Sequence, residues 1–188
     1  MDQAARSANR LSKGAIARLI GSDGFKKAKS GDVISVSWPA GMQAEALDVL
    51  VLPRKLTPVE ARKAGANLAK GAAGKRLTVM AGGMNKAADL TQGIALRDYE
   101  FDNHKSPKDD KPRGEVVIAC KAPSELEAAC APLLAVAEGV HMTRDLINEP
   151  ANVLTTTEFA RRIEEMKQIG LEVEVLEDAD LEKLGMRT

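Results

Sequence analysis

The stretch TRDLINEPANVLTTTEFA, residues 143–160, decides how this chain is divided. Thr143 to Asn148 continues a helical apolar pattern that begins near Ser124. Pro150 donates no backbone hydrogen bond and biases Glu149 away from the α region, so the helix is predicted to stop there. Thr155 and Glu158 have the spacing of a capping box, which predicts a second, amphipathic helix behind them. The segment is thus a helix stop, a polar bridge and a helix start. It reads either as a connection between two α/β units or as an ordered loop that binds something.

Composition narrows what either unit can do. With 188 residues the chain holds one ordinary domain, or one domain and part of another. Lysine plus arginine and aspartate plus glutamate number 27 each, so no net field draws the chain to nucleic acid or to an anionic membrane. Aromatics make up only 3 % against 44 % hydrophobic residues, which implies an aliphatic, alanine-rich core and no stacking platform for bases. No apolar run approaches a membrane span and the first residues lack a signal-peptide layout, so the sequence reads as soluble and cytoplasmic. Cys120 in an apolar strand and Cys130 in a helix lack CxxC spacing and read as buried thiols.

Taken in order, the chain alternates helices and strands. Ala4, Ala8, Leu11, Ala15 and Leu19 predict one helix from Asp2 to Ile20, with Asp2 as its cap and Gly21 as its stop. Ser22 to Asp32 reads as a loop. Gly21, Gly24 and Gly31 are turn glycines by their irregular spacing, and Lys26, Lys27 and Lys29 form a solvated patch. Val33 to Trp38 alternates as a half-buried strand, and Leu47 to Leu52 is apolar enough for a central one. Thr57, Pro58 and Glu60 mark a helix start, followed by a helix to about Ala73. Leu77 to Ala81 is the next strand. Gly82-Gly83 after it serves either a tight turn or a phosphate at a helix N-terminus.

A third helix is predicted over Asn85 to Tyr99, then a polar loop from Asp102 to Gly114 containing Pro107 and Pro112. His104 lies there beside Asp102, Asp109 and Asp110, but the spacing is not that of a zinc or calcium loop. Glu115 to Cys120 is a strand, and Ser124 with Glu127 predicts the cap of a helix that Pro132 kinks or restarts. His141 on that helix reads as a packed or surface side chain. Beyond the bridge, Phe159, Ile163 and Met166 form an apolar helix face and Gly170 a stop. Leu171 to Leu176 alternates like a strand with one wet face, and Asp178 or Asp180 caps a last helix. That last set of elements cannot enclose a core of its own.

The wording TRDLINEPAN (143–152), followed by EFARRIEE (158–165), resembles the leucyl (cytosol) aminopeptidase family, two-metal peptidases that remove N-terminal residues from peptides. GIALRDYEFDNHKS (93–106) resembles it as well. The resemblance implies a three-layer α/β fold, a mostly parallel sheet flanked by helices. It places a macrodomain-like N-terminal domain lacking its first strand at residues 1–140 and the start of a truncated catalytic domain at 141–188. Asn148, Glu149 and Asn152 match the family at the boundary and are read as boundary structure. The family's metal ligands come from a lysine and aspartate after a glycine-rich strand end and from an Asn-Thr-Asp-Ala-Glu-Gly-Arg run. Neither occurs here. No residue of this chain is therefore assigned to catalysis, to a metal or to a cofactor.

For the full-length enzyme the resemblance implies two divalent ions (manganese or zinc), peptide substrates and a homo-hexamer, with this portion serving assembly or positioning. The second hypothesis is a stand-alone macrodomain-like module for a nucleotide or an ADP-ribose-type ligand, with Gly82-Gly83 and the glycines near Gly21 as its candidates. The unfinished helix–strand–helix tail favours the enzyme portion.

Overall fold

The computed structural model describes residues 3–72, 74–106 and 114–186. Two units separate, one running to His141 and the other from Met142.

The first unit opens with α1 (Gln3–Leu11) and α2 (Ala15–Ile20). The sequence suggested one helix here. The break falls at Lys13 and Gly14, both with positive φ (48° and 83°), and the Asn9 side chain accepts from the Ala17 amide across the corner at 2.9 Å. Gly21 caps the C-terminus of α2, as the sequence suggested, with ordinary helical φ. Asp2 lies outside the described residues. The expected loop holds a short helix, α3 (Asp23–Lys26), whose N-cap Ser22 accepts from the Phe25 amide.

β1 (Val33–Ser37) and β2 (Ala46–Leu50) pair antiparallel. Trp38 leaves the strand with φ 49° and stands 74 % exposed, so the predicted alternation ends one residue early. α4 (Pro58–Ala72) begins where the sequence placed it. Thr57 Oγ1 accepts from the Glu60 amide, and the Thr57 amide donates back to Glu60 Oε2 at 2.9 Å. The Thr57 amide and the Thr57 hydroxyl both donate to the Glu60 carboxylate and hold it below its ordinary range.

β3 (Leu77–Gly82) and β4 (Val116–Cys120) pair in parallel, with an irregularity between Met80 and Gly82. Between them runs α5 (Ala87–Arg97). α6 (Pro123–Asn148) begins at Pro123, so Ser124 is already helical and does not cap it, and Pro132 is carried without ending the helix.

The expected single, mostly parallel sheet is therefore two two-stranded sheets among the described residues, one antiparallel and one parallel. Among the described residues β2 is not a central strand, since its one partner there is β1 and its residues are half-buried or exposed.

The core lies between helices. Ala61, Leu68, Leu90 and Ile94 of α4 and α5 form its buried centre, and Val33, Leu50, Leu77, Val79 and Ile118 from all four strands pack against it. Gly65 and Gly93 let the two helices touch backbone to backbone. A Cβ at Gly65 would run into the Leu90 carbonyl, and one at Gly93 into the Arg62 carbonyl. The Arg62–Asp89 pair at 3.3 Å closes the rim of this contact.

The second unit holds the end of α6, α7 (Thr156–Glu164), a 3-10 helix (Glu165–Ile169) and α8 (Asp178–Lys183). Gly170 stops the 3-10 helix with φ 91°, as the sequence suggested. Leu171 to Leu176, predicted as a strand, has no ladder partner among the described residues and does not form one there; alternation offers a face, but pairing makes a strand. The N-cap of α8 is Glu177, so Asp178 and Asp180 fall inside its first turn.

Candidate functional site

The bridge at 148–155 is built from short local bonds. α6 ends at Asn148, and the amides of Val153 and Leu154 both donate to the Pro150 carbonyl at 2.9 Å. Thr155 then caps α7 by accepting from the Glu158 amide at 3.2 Å. The reciprocal half of the capping box is missing, because the Glu158 carboxylate turns the other way. Arg161 donates to it through Nε and a terminal nitrogen, and Arg162 through Nε, all at 2.8 Å. These two guanidinium groups lower the Glu158 pKa to about 2, and the Glu158 carboxylate in turn raises both arginines.

Arg162 also reaches back across the turn. Both its terminal nitrogens lie 3.4 Å from Glu149 Oε1, and the Glu149 side chain is only 6 % exposed. Arg161 is further paired with Glu165. The turn after Pro150 is thereby tied to α7 by charge. Chemically this is a clamp, since its charged groups already satisfy one another and none is poised to move a proton. The i,i+4 spacing of Glu158 and Arg162 could have signalled part of it; Glu149 to Arg162 spans a turn and could not.

The other sequence candidates fall elsewhere in the first unit. Gly82 and Gly83 line an open groove of about 700 Å³ together with Ser7 of α1, Met80, Cys120 and Lys121. Gly82 has φ 57°, and its carbonyl accepts from the Lys121 amide at 3.0 Å, so the glycine turns the chain there. The groove lies at the carboxyl ends of two parallel strands, where α/β proteins commonly bind ligands. Gly21 is not among its lining residues. Lys121 is the groove's cation, and sequence reading missed it because nothing local marks it.

His104 packs at a tilt of 58° against Phe101 with ring centroids 5.7 Å apart, while Asp109 and Asp110 lie outside the described residues. His141 packs on Tyr99 at 5.3 Å, and its Nε2 is buried with no hydrogen-bond partner among the described residues. Cys120 and Cys130 are free thiols; burial pushes Cys130 up, and a hydrogen bond with Thr91 opposes the shift. Among the described residues no three His, Cys, Asp or Glu side chains converge on a point that could hold a metal ion.

Comparison with known proteins places these features in a family. The model of the cytosol aminopeptidase family catalytic domain matches residues 141–188, which contain the bridge and its clamp. The chain belongs to the leucyl (cytosol) aminopeptidase family. A probable cytosol aminopeptidase of Dinoroseobacter shibae is 50 % identical over 99 % of this chain, and one of Cereibacter sphaeroides 43 % identical over all of it. The chain spans 38 % of the length of each. Among solved structures, the bottromycin maturation enzyme BotP is similar with TM-score 0.68 and 28 % identity, over 92 % of this chain and 38 % of that one. A mutant tomato leucine aminopeptidase shares the fold with TM-score 0.75 at 18 % identity, over 95 % of this chain and 38 % of its own.

Proposed function

We propose that this chain is the N-terminal domain (residues 1–140, without the family's first strand) and the opening of the catalytic domain (141–188) of a two-metal aminopeptidase that releases N-terminal residues from peptides. The observation that carries this reading is 50 % identity across 99 % of the chain to a relative of which it spans 38 %. The metal ligands are then supplied by sequence outside these residues, and the chain alone is not catalytic. BotP has also been solved in complex with manganese, which supports manganese ahead of zinc as the ion to test. The packing of residues from all four strands against α4 and α5, with α1 in contact with β3, supports a macrodomain-like layering for the first domain. Its tasks are positioning and subunit contact in a homo-hexamer, and the relatives' name supports a cytoplasmic setting.

Two assays test the proposal. The purified chain with added manganese is expected to release no chromophore from leucine p-nitroanilide. A chimera in which it replaces the matched part of the Dinoroseobacter shibae relative is expected to release it in a metal-dependent way. Turnover by the chain alone would overturn its non-catalytic role. A folded but inactive chimera would overturn the parent activity.

A second reading, a module for a nucleotide or ADP-ribose-type ligand, is favoured by the groove at Gly82-Gly83 and Lys121. Calorimetric binding of ADP-ribose that a Lys121→Glu variant loses would support it. No heat at millimolar ligand would remove it.

A further inference from the structure

The groove at Gly82-Gly83 lies at the carboxyl ends of β3 and β4, and most of its wall is apolar. Ile118 and Met84 belong to that wall and also pack against the buried α4–α5 centre, so this side of the groove is the rim of the core. Val79 turns to the same centre, which sends the neighbouring Met80 to the opposite face of β3. There α1 touches the strand, yet Met80 stays 42 % exposed. Methionine side chains are unbranched and pliable, so a pair of them suits a slender apolar guest.

Polar groups in the groove are few. Gln3 and Ser7 of α1 supply an amide and a hydroxyl, and Lys121 supplies the charge. The Lys121 amide is pinned to the Gly82 carbonyl at 3.0 Å. Its Cδ, Cε and Nζ stand 3.7, 3.8 and 3.9 Å from the place a Cβ on Gly83 would take, so the side chain lies along the glycine turn. Among the described residues no Asp or Glu lines the groove, and the Lys121 ammonium enters no ion pair. α6 begins at Pro123 in the same wall, and the amino end of that 26-residue helix adds to the positive potential. A base would find no aromatic ring here to stack on, and a free amino acid no carboxylate for its ammonium.

We propose that the groove binds a free aliphatic carboxylate of about six to ten carbons, its chain along Met80, Met84 and Ile118 and its head on the Lys121 ammonium. The inference assigns a different ligand to the groove that the nucleotide reading uses. It holds whether or not the parent is an aminopeptidase.

Octanoate titrated into the purified chain is the probe, with Cys120 as a second reporter, since Cys120 is half-buried in the groove wall and Cys130 is buried. Octanoate is expected to bind one to one by calorimetry. At ten times its Kd it should slow alkylation of Cys120 by iodoacetamide about tenfold. Affinity should rise by about tenfold or more from hexanoate to decanoate. Octylamine, with the same chain and the opposite charge, should not bind. Lys121→Gln should weaken octanoate by about tenfold or more. Met80→Gln, at an exposed position, should cut the gain from chain length to about threefold. No heat and no protection of Cys120 at about 5 mM octanoate, equal binding of octylamine, or unchanged binding by Lys121→Gln would overturn the proposal. So would tighter binding of N-acetylleucine or ADP-ribose than of octanoate, since a peptide terminus or a nucleotide would then be the ligand.

Discussion

The two units are held together by different physics. The first buries Ala61, Ala64, Leu68, Leu90 and Ile94 in a helix pair whose backbones meet at two glycines. From Met142 onward, among the described residues, none is buried, and Leu171 is 49 % and Val175 41 % exposed. What orders the second unit is local: a proline turn, a threonine cap, and a carboxylate shared by two arginines. Apolar burial stabilises in proportion to the area removed from water, whereas exposed ion pairs contribute little each. The first unit therefore has the makings of an independent fold, and the second has a shape with little to hold it.

The largest expected effect on this contrast is Leu90→Ala. With Leu90 only 1 % exposed, it should destabilise the first unit by about 3 kcal/mol, read from urea unfolding. The corresponding change in the second unit, Val175→Ala, should leave the curve unmoved. Gly65→Ala comes next, at about 2 kcal/mol, because the added methyl meets the Leu90 carbonyl and must push α5 away from α4. Equal effects of Leu90→Ala and Val175→Ala would break the comparison.

Caps give smaller effects and sharpen it. Thr57→Ala should cost about 1 kcal/mol of first-unit stability, while Thr155→Ala should reduce α7 helicity with no change in the main unfolding transition. Acid should separate the units further. The Glu158 carboxyl titrates at about 2 when paired, below its ordinary 4.5. Its contribution is present above the ordinary value and lost as pH falls toward 2. Helical signal from α7 should fade across that window, and Glu158→Gln should remove the dependence.

Much of this was legible in the sequence because it is local. The Thr57 and Thr155 caps, the stop before Pro150 and the Gly170 turn each follow from a few neighbouring residues. What was not legible is non-local. Apolar Leu47 to Leu52 reads as a central strand, but no periodicity reveals that β2 and β3 fail to pair. Leu171 to Leu176 alternates well and still forms no strand, because a partner is needed. The Lys13–Gly14 break was hidden inside a continuous apolar stripe, where one left-handed glycine outweighs the pattern. Among site features, the bridge was read from wording that few other families share. Lys121 and the Glu149–Arg162 contact depend on chain segments meeting in space.

By the function proposed above, these residues carry the frame of an aminopeptidase and not its metal chemistry. Elemental analysis of the purified chain after equilibration with manganese, then with zinc, followed by desalting, tests it most directly. The account predicts less than one tightly held ion per chain, with the fold intact by circular dichroism. Two retained equivalents would contradict it, since a metal pair would then have ligands within these residues.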